Sequence, residues 1–267
     1  MRLLAVGVSY IRGDYSAAHA MIRSVCALKP ASTVFWNLYM TVSAQCADNS
    51  SFEKSHRFLV KLLVQHPDSV PLMMLVGHHC ALTRNLGLGI AEYLRASSLR
   101  PQEPLIALCL GTSYLGQVMQ KNTYNRHLVC LRAFTFLDKY AKLRCPVPRP
   151  IGSPSAPADP EEELAAARRK CLLAQEVSYN LGRAYHQINL LNLAVPYYEQ
   201  TLELAVKHRE EARELRRRVG GGAAAGGAEA GPAGLEREAA YNLFLIYRSH
   251  PGSQRLAREI LREHLTI

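Results

Sequence analysis

The chain has 267 residues, 48% of them apolar and 7% aromatic, and it carries a formal net charge of +10. This length can bury a substantial core, and the many leucines and alanines predict an all-α fold. Runs of alternating β-branched residues are scarce, which argues against a sheet protein. A basic chain can contact nucleic acid or acidic proteins, but charge alone selects neither.

Seven cysteines are scattered along the chain, and no two of them form a CxxC pair. Their odd number and their spacing argue against a disulfide framework and indicate a reducing compartment. The stretch GHHC (Gly77–Cys80) contains possible metal ligands. Neighbouring helical residues point about 100° apart, however, so we predict neither a metal site nor a cofactor.

The amino-terminal stretch MRLLAVGVSYI has one arginine and a short apolar run, as a signal peptide has. The following RGDYSAAHAMI continues the pattern of a helical hairpin, so we predict a hairpin here rather than a cleaved leader. No run of about 18 apolar residues occurs in the sequence, so we expect no membrane span.

Small residues, aromatic residues and prolines recur with a period of 34 residues, the distance from Pro67 to Pro101. When each of these prolines is numbered 32, Gly77 falls at position 8, Gly89 at 20 and Tyr93 at 24. Further matches follow in chain order: Ala18 and Pro30 at 20 and 32; Gly111 and Tyr114 at 8 and 11; Gly182, Tyr185, Ala194 and Tyr198 at 8, 11, 20 and 24; Leu243 and Tyr247 at 7 and 11. This is the tetratricopeptide pattern, except that Phe244 takes the small position of the last repeat, which predicts a splayed hairpin.

The pattern has a direct physical meaning. Small residues at positions 8 and 20 let the two helices of a hairpin cross closely, while large residues around them fill the remaining space. Proline near position 32 ends the second helix. One hairpin cannot bury its apolar faces alone, so we predict a right-handed α-solenoid of about five stacked hairpins with a concave groove.

Other segments fit the same architecture. Between Ser32 and Gln65, VFWNL opens one helix and FEKSHRFLVKLLVQHP forms the next, joined by the loop Cys46–Glu53. The register is interrupted after Gln120, and a long helix is predicted over residues 128–144. Another helix end is predicted near Gln187–Leu191.

These patterns divide the chain into five segments. We predict a tetratricopeptide-like array over 1–144, a Pro/Ser-rich linker over 145–160, a repeat with flanking charged helices over 161–219, a Gly/Ala low-complexity loop over 220–234, and a C-terminal hairpin over 235–267. The EEELAAARRK stretch after the linker is predicted to be helical. The glycines of the loop lack the Gly-Lys-Ser/Thr ending of a phosphate-binding loop.

The sequence contains no GxSxG, HExxH or DxD-type arrangement. We therefore predict no catalytic residues and no enzyme activity. The densest basic group, Lys207–Arg218, is interrupted by Glu210, Glu211 and Glu214. A solvated helix face with i,i+4 ion pairs and a surface for an anionic partner both fit this group.

The candidate binding residues occupy positions that line the groove of such hairpins. They are His78, Asn180, Arg183, His186, Gln187, Asn242 and Arg248, which would form a polar, mildly basic surface for an extended or helical acidic segment. A second interpretation stays open for Asn180 and Asn242, which also belong to the repeated YNL consensus.

Longer stretches carry a family resemblance. These are YIRGDYSAAHAMIRSV, AFTFLDKYAKLR, VSYNLGRAYHQINLLNLAVPYYEQTLEL and the terminal REAAYNLFLIYRSHPGSQRLAREILREHLTI. They resemble the C-terminal part of the tetratricopeptide-repeat subunit of general transcription factor IIIC. Met1 falls inside a repeat, so the sequence looks like a fragment, an alternative product or a partial gene model. Both low-complexity insertions look longer than the family needs.

The resemblance implies a nuclear, non-enzymatic scaffold that bridges promoter-bound factor IIIC to factor IIIB for RNA polymerase III transcription of transfer-RNA genes. The implied partners are other factor IIIC subunits and factor IIIB subunits. DNA would be contacted only indirectly, and no membrane or small-molecule substrate is expected. Two alternatives stay open: a generic tetratricopeptide adaptor or co-chaperone, and a helical protein that binds nucleic acid directly.

Overall fold

The computed structural model describes residues 2–30, 32–45, 49–121, 123–145, 160–218 and 234–265. In these ranges the chain forms twelve α-helices and a π-helical turn. They are α1 (Arg2–Ile11), α2 (Tyr15–Leu28), α3 (Thr33–Gln45), α4 (Asn49–Gln65), α5 (Val70–Leu82), α6 (Leu86–Leu99), α7 (Pro104–Val118), α8 (Arg126–Arg144), α9 (Pro160–Gln187), α10 (Leu191–Arg218), α11 (Glu236–Ser249), α12 (Gln254–Ile260) and the π-helical turn Leu261–Leu265.

The predicted all-α class with tetratricopeptide-like hairpins is confirmed, and no strand occurs in the described ranges. The chain divides into two compact units, Met1–Ala133 and Phe134–Ile267, and the division falls inside α8. In each unit, helices pack against their neighbours in the chain, as α5 does against α6 and α9 against α10. None of the described helices has the length and apolarity that a bilayer crossing requires.

Three turns between the helices of a hairpin share one geometry. Gly13, Arg84 and Asn189 have positive φ angles of 81°, 60° and 63°, and all three fall at repeat position 15. The next amide in each turn donates to a carbonyl five residues back, as Asn85 N does to Cys80 O at 2.9 Å. This closure satisfies the carbonyl groups that a helix end leaves unpaired. The identical turns fix the angle at which each second helix folds back.

The turn between α7 and α8 is longer than these. Its left-handed residue is Asn125, with φ 51°, which lies seven residues beyond the expected position. This insertion accounts for the interrupted register that the sequence shows after Gln120. The predicted long helix follows it as α8.

One predicted boundary differs from the structure, and two predictions agree with it. Helix α4 begins at Asn49, inside the predicted loop Cys46–Glu53. The predicted helix EEELAAARRK is confirmed, and it is the first part of α9, which runs unbroken to Gln187. No glycine or proline interrupts residues 161–181, so nothing there ends the helix. The predicted break near Gln187–Leu191 lies between α9 and α10.

Helices α9 and α10 each have 28 residues, about 42 Å of length, twice that of α2 or α6. Most of the predicted linker 145–160 and loop 220–234 lies outside the described residues. The last residue of that loop, Gly234, is described and has a φ of 74°. A Cβ there would be 2.9 Å from Leu172 Cδ2, so only glycine fits this close approach to α9.

Candidate protein-interaction surface

The predicted crossing of α5 and α6 brings two glycines together. A Cβ built on Gly89 would lie 3.1 Å from the carbonyl oxygen of Gly77, and one built on Gly77 would lie 2.8 Å from Tyr93 Cδ1. Tyr93 is itself 1% exposed. Both glycines therefore allow an approach that larger residues would block. In α7, Gly111 and Tyr114 are also buried.

The α9–α10 hairpin repeats this geometry. A Cβ on Gly182 would be 2.9 Å from Tyr198 Cε1, and Ala194 and Tyr198 are fully buried. Tyr185 stacks on Phe134 with ring centroids 4.8 Å apart. Tyr247 on α11 connects the next hairpin to this one, because its hydroxyl donates to Glu199 Oε1 on α10 at 2.7 Å.

Substituting leucine for Gly182 is expected to lower the free energy of unfolding of the second unit by about 1–3 kcal/mol, because the added side chain overpacks against the Tyr198 ring. Urea denaturation followed by circular dichroism measures the change. Gly252 is exposed, and a Cβ there meets nothing within 4 Å. Its φ of 97° would strain any other residue, however, so Gly252 is not a neutral control. Gly87, with the same open space and an ordinary helical position, is the suitable control. An unchanged midpoint for Gly182→Leu would contradict the close crossing.

Both candidate groove histidines are hydrogen-bonded to the tyrosine at repeat position 24 of their hairpin. His78 Nδ1 lies 2.7 Å from the Tyr93 hydroxyl, and His186 Nδ1 lies 3.3 Å from the Tyr198 hydroxyl. Burial lowers the pKa of both imidazoles. These contacts satisfy a buried tyrosine hydroxyl in each hairpin, which gives the histidines a packing function.

Both candidate asparagines connect one hairpin to the one before it. Asn180 Nδ2 donates to the Tyr140 hydroxyl at 3.0 Å, and Asn242 Nδ2 reaches the Tyr179 hydroxyl at 3.5 Å. This geometry favours the structural interpretation of the YNL consensus. Of the remaining candidates, Arg183, Gln187 and Arg248 are exposed, and the two guanidinium groups lie 5.9 Å from the Tyr179 and Phe244 rings.

The structure also shows polar clusters that the repeat pattern did not predict. Glu176 on α9 accepts from the Arg144 guanidinium at 2.6 Å and from the Tyr140 hydroxyl at 2.8 Å. Glu236 is 4% exposed and accepts from Arg209 Nη1 at 2.6 Å and from His264 Nδ1 at 2.9 Å. The His264 hydrogen bond, with Arg209, holds the pKa of Glu236 below its usual range against the effect of burial. Both carboxylates tie successive helices of the second unit together.

The predicted basic group in α10 is partly paired. Lys207 lies 3.9 Å from Glu211, an i,i+4 pair on the solvent face, and Arg209 reaches Glu236. The exposed pair adds little stability. These contacts support the interpretation of a solvated helix face for the part of the group whose side chains are described.

Buried histidines form a third cluster, in the first unit. His79 is 3% exposed, and its ring stacks 5.9 Å from His56. Burial, with repulsion from His56, His78 and His19, lowers the pKa of His79 to about 4. His19 Nε2 lies 3.1 Å from Ser55 Oγ. In the described part of the chain, no group of three histidine, cysteine or acidic residues is placed to hold a metal.

This cluster predicts a pH dependence of stability. The pKa of His79 is about 4 in the folded chain and about 6.5 when unfolded. Between these values the unfolded chain binds a proton that the folded chain excludes, so stability present above about pH 6.5 is lost as the pH falls. When the pH falls from about 7 to about 4.5, the free energy of unfolding should therefore decrease by about 2 kcal/mol less in the His79→Met variant than in the parent.

Urea denaturation at the two pH values measures this difference. The matched control is His127→Met, because His127 is exposed. Equal losses in the parent and in His79→Met would show that His79 is not the titrating group.

Comparison with known proteins supports the sequence resemblance. The chain is 28% identical over 232 residues to General transcription factor 3C polypeptide 3 of Homo sapiens, which covers 87% of this chain and 21% of the human protein. It is 37% identical over 134 residues to Transcription factor tau subunit sfc4 of Schizosaccharomyces pombe, covering 50% of this chain and 11% of that protein. For the Transcription factor tau 131 kDa subunit of Saccharomyces cerevisiae, identity is 27% over 67% of this chain and 13% of the yeast protein.

No protein-family model matches the chain. Among solved structures, MamA matches 78% of this chain and 96% of its own at 14% identity, with a TM-score of 0.45. The Cut9-Hcn1 assembly of APC/C matches 96% of this chain and 48% of its own at 15% identity, with a TM-score of 0.34. The chain spans about a fifth or less of the curated relatives it matches. The resemblance predicted from the sequence is confirmed: this chain is a relative of the transcription factor IIIC (tau) subunits.

Proposed function

We propose that the chain is a non-enzymatic scaffold segment of a transcription factor IIIC complex in the nucleus. The observation that carries this proposal is the likeness to General transcription factor 3C polypeptide 3 over 87% of this chain. Stacked helical hairpins suit such a role, because they present long surfaces to other proteins.

The finer proposal is that the scaffold bridges promoter-bound factor IIIC to factor IIIB, and so supports RNA polymerase III initiation at transfer-RNA genes. Its partners would be other factor IIIC subunits and factor IIIB subunits, with DNA contacted through the complex. The exposed guanidinium groups of Arg183 and Arg248 are the part of the candidate groove that is best placed to meet an acidic partner segment.

The alternative of a co-chaperone that clamps a terminal carboxylate has less support. Such a clamp needs free asparagine amides, and the Asn180 amide is engaged with the Tyr140 hydroxyl. The two lysines, two asparagines and one arginine of such a clamp would also have to come from three consecutive repeats, and the α9–α10 hairpin is flanked by long insertions.

Affinity purification of the tagged chain from nuclear extract tests the proposal. We expect the other factor IIIC subunits to be recovered, and factor IIIB subunits if the bridging proposal holds. The double variant Arg183→Glu and Arg248→Glu should reduce recovery, whereas Arg255→Glu with Arg258→Glu, an equal charge change on α12, should not. Recovery of chaperones alone would support the adaptor function instead.

A further inference from the structure

The long turn between α7 and α8 carries a surface that neither the hairpin packing nor the candidate groove uses. We define the α7–α8 edge as Arg84, Lys121, Tyr124, Arg126, Leu128 and Leu131, all of which are exposed. Tyr124 is 87% exposed, Leu131 67% and Leu128 47%. Large apolar side chains this exposed, beside cations, indicate an interaction surface.

Hydrogen bonds hold the cationic part of the edge together. Gln120 Nε2 donates to the Arg84 carbonyl at 3.3 Å, which places the α7–α8 turn beside the α5–α6 turn. Arg126 Nη2 donates to the carbonyls of Gln120 and Lys121, both at 3.1 Å. Arg126 therefore stabilises the turn, and the Arg84 and Lys121 side chains have no acidic partner among the described residues.

The apolar part of the edge lies on α8 and the residues before it. Leu128 and Leu131 are three residues apart on the helix, so their side chains share one face. Tyr124 precedes the helix and is four residues from Leu128. We call these three exposed residues the apolar strip; Tyr124 lies between the cations Lys121 and Arg126 in the sequence.

The segments of the chain that carry this edge contain no acidic residues. The sequence has no aspartate or glutamate between Glu103 and Asp138, nor between Asp68 and Glu92. Glu103 stands at the start of α7, about 20 Å from the turn at its other end. Glu92 pairs with Arg95 and Asp138 with Lys142. Among the residues that the structure describes, no acidic side chain forms an ion pair with Arg84, Lys121 or Arg126, which favours a positive potential at the edge.

We propose that the α7–α8 edge binds an acidic amphipathic helix of a partner protein. The carboxylates of such a helix would pair with Arg84 and Lys121, while its apolar face would cover Tyr124, Leu128 and Leu131. A nucleic acid would use the cations and Tyr124, but it would leave the two leucines exposed to solvent, because its strands bind through phosphates and stacked bases. The apolar strip thus favours a protein over a nucleic acid.

Fluorescence anisotropy with the full chain tests the proposal. The probe is a labelled synthetic helix of glutamate and leucine, with leucines at i, i+3, i+4 and i+7, and the comparison probes are the same composition scrambled and a single-stranded oligothymidine. We expect the amphipathic helix to bind at least about tenfold more tightly than the scrambled peptide. Its Kd should rise about tenfold or more in Arg84→Glu with Lys121→Glu, and also in Leu128→Ser with Leu131→Ser.

Matched controls keep the charge and polarity changes equal. Lys29→Glu with Lys61→Glu alters two exposed cations elsewhere in the first unit, and Val64→Ser with Leu99→Ser alters two exposed apolar residues. These pairs should leave the Kd unchanged. Controls that weaken binding equally, edge variants that bind as the parent does, or binding of oligothymidine without the helix would each overturn the proposal.

A second measurement does not depend on these substitutions. Benzoylphenylalanine in place of Tyr124 should form a photo-cross-link to the bound helix, and the same group in place of Tyr241, which is 53% exposed on α11, should not. A cross-link of equal yield from both positions would contradict binding at the edge.

Discussion

Replacing Gly77 with leucine is expected to lower the free energy of unfolding of the first unit by about 3 kcal/mol. The Cβ alone would lie 2.8 Å from Tyr93 Cδ1 and Cζ, against a ring that is 1% exposed and held at its hydroxyl by His78. The ring therefore has no open space to move into, and α5 and α6 must separate. The expected loss is at the upper end of the range for Gly182→Leu, because the Gly77 contact is closer.

Gly87 provides the control in the same hairpin. It is exposed in the first turn of α6, and a Cβ there meets nothing within 4 Å. Gly87→Leu should be neutral or should stabilise by about 0.5–1 kcal/mol, since leucine favours the helix more than glycine. Urea denaturation of both variants gives the comparison. Similar stabilities for the two would refute the assigned crossing of α5 and α6.

Substituting glutamine for Glu236 is expected to cost the second unit about 2–4 kcal/mol. The change removes the charge between Arg209 and His264 while keeping the size of the side chain, so a half-buried guanidinium is left without its carboxylate. Hydrogen exchange should accelerate in α12 and the π-helical turn, because His264 is attached to α11 through this carboxylate.

The control for this substitution is Glu238→Gln, two residues along α11 at an exposed position. It makes the same chemical change and should alter the unfolding free energy by less than about 0.5 kcal/mol. Exchange rates in α12 that are equal in both variants would show that Glu236 does not hold the C-terminal turn.

The helical fold was predictable because its determinants recur at fixed spacing. Gly77, Gly89 and Gly182 lie where the 34-residue pattern places the closest approach of two helices. Backbone approach depends on the absence of a side chain, which a sequence displays directly. The second repeat was harder to recognise, because its small residues at positions 8 and 20 are Ser43 and Ser55 rather than glycine or alanine. Numbering Pro67 as position 32 places both serines at the close-approach positions of the repeat.

The candidate surface was less predictable than the fold. Repeat positions indicate which residues can face a groove, but they do not tell whether a polar group is already satisfied inside the protein. His78 and Asn180 each meet a tyrosine hydroxyl from another helix, Tyr93 and Tyr140. Long-range pairs such as Arg209 with Glu236 depend on side-chain geometry between elements and follow no fixed spacing. The role of the groove residues in binding stays a prediction.

The packing of helices on their neighbours in the chain also determines how the protein unfolds under force. Since α5 contacts α4 and α6, and α10 contacts α9 and α11, most contacts within each unit close short loops. Chains with such local contacts fold rapidly, and their stability resides in adjacent pairs rather than in one global nucleus. Pulled from its ends in an optical trap, this chain should therefore extend in hairpin-sized steps instead of one abrupt rupture.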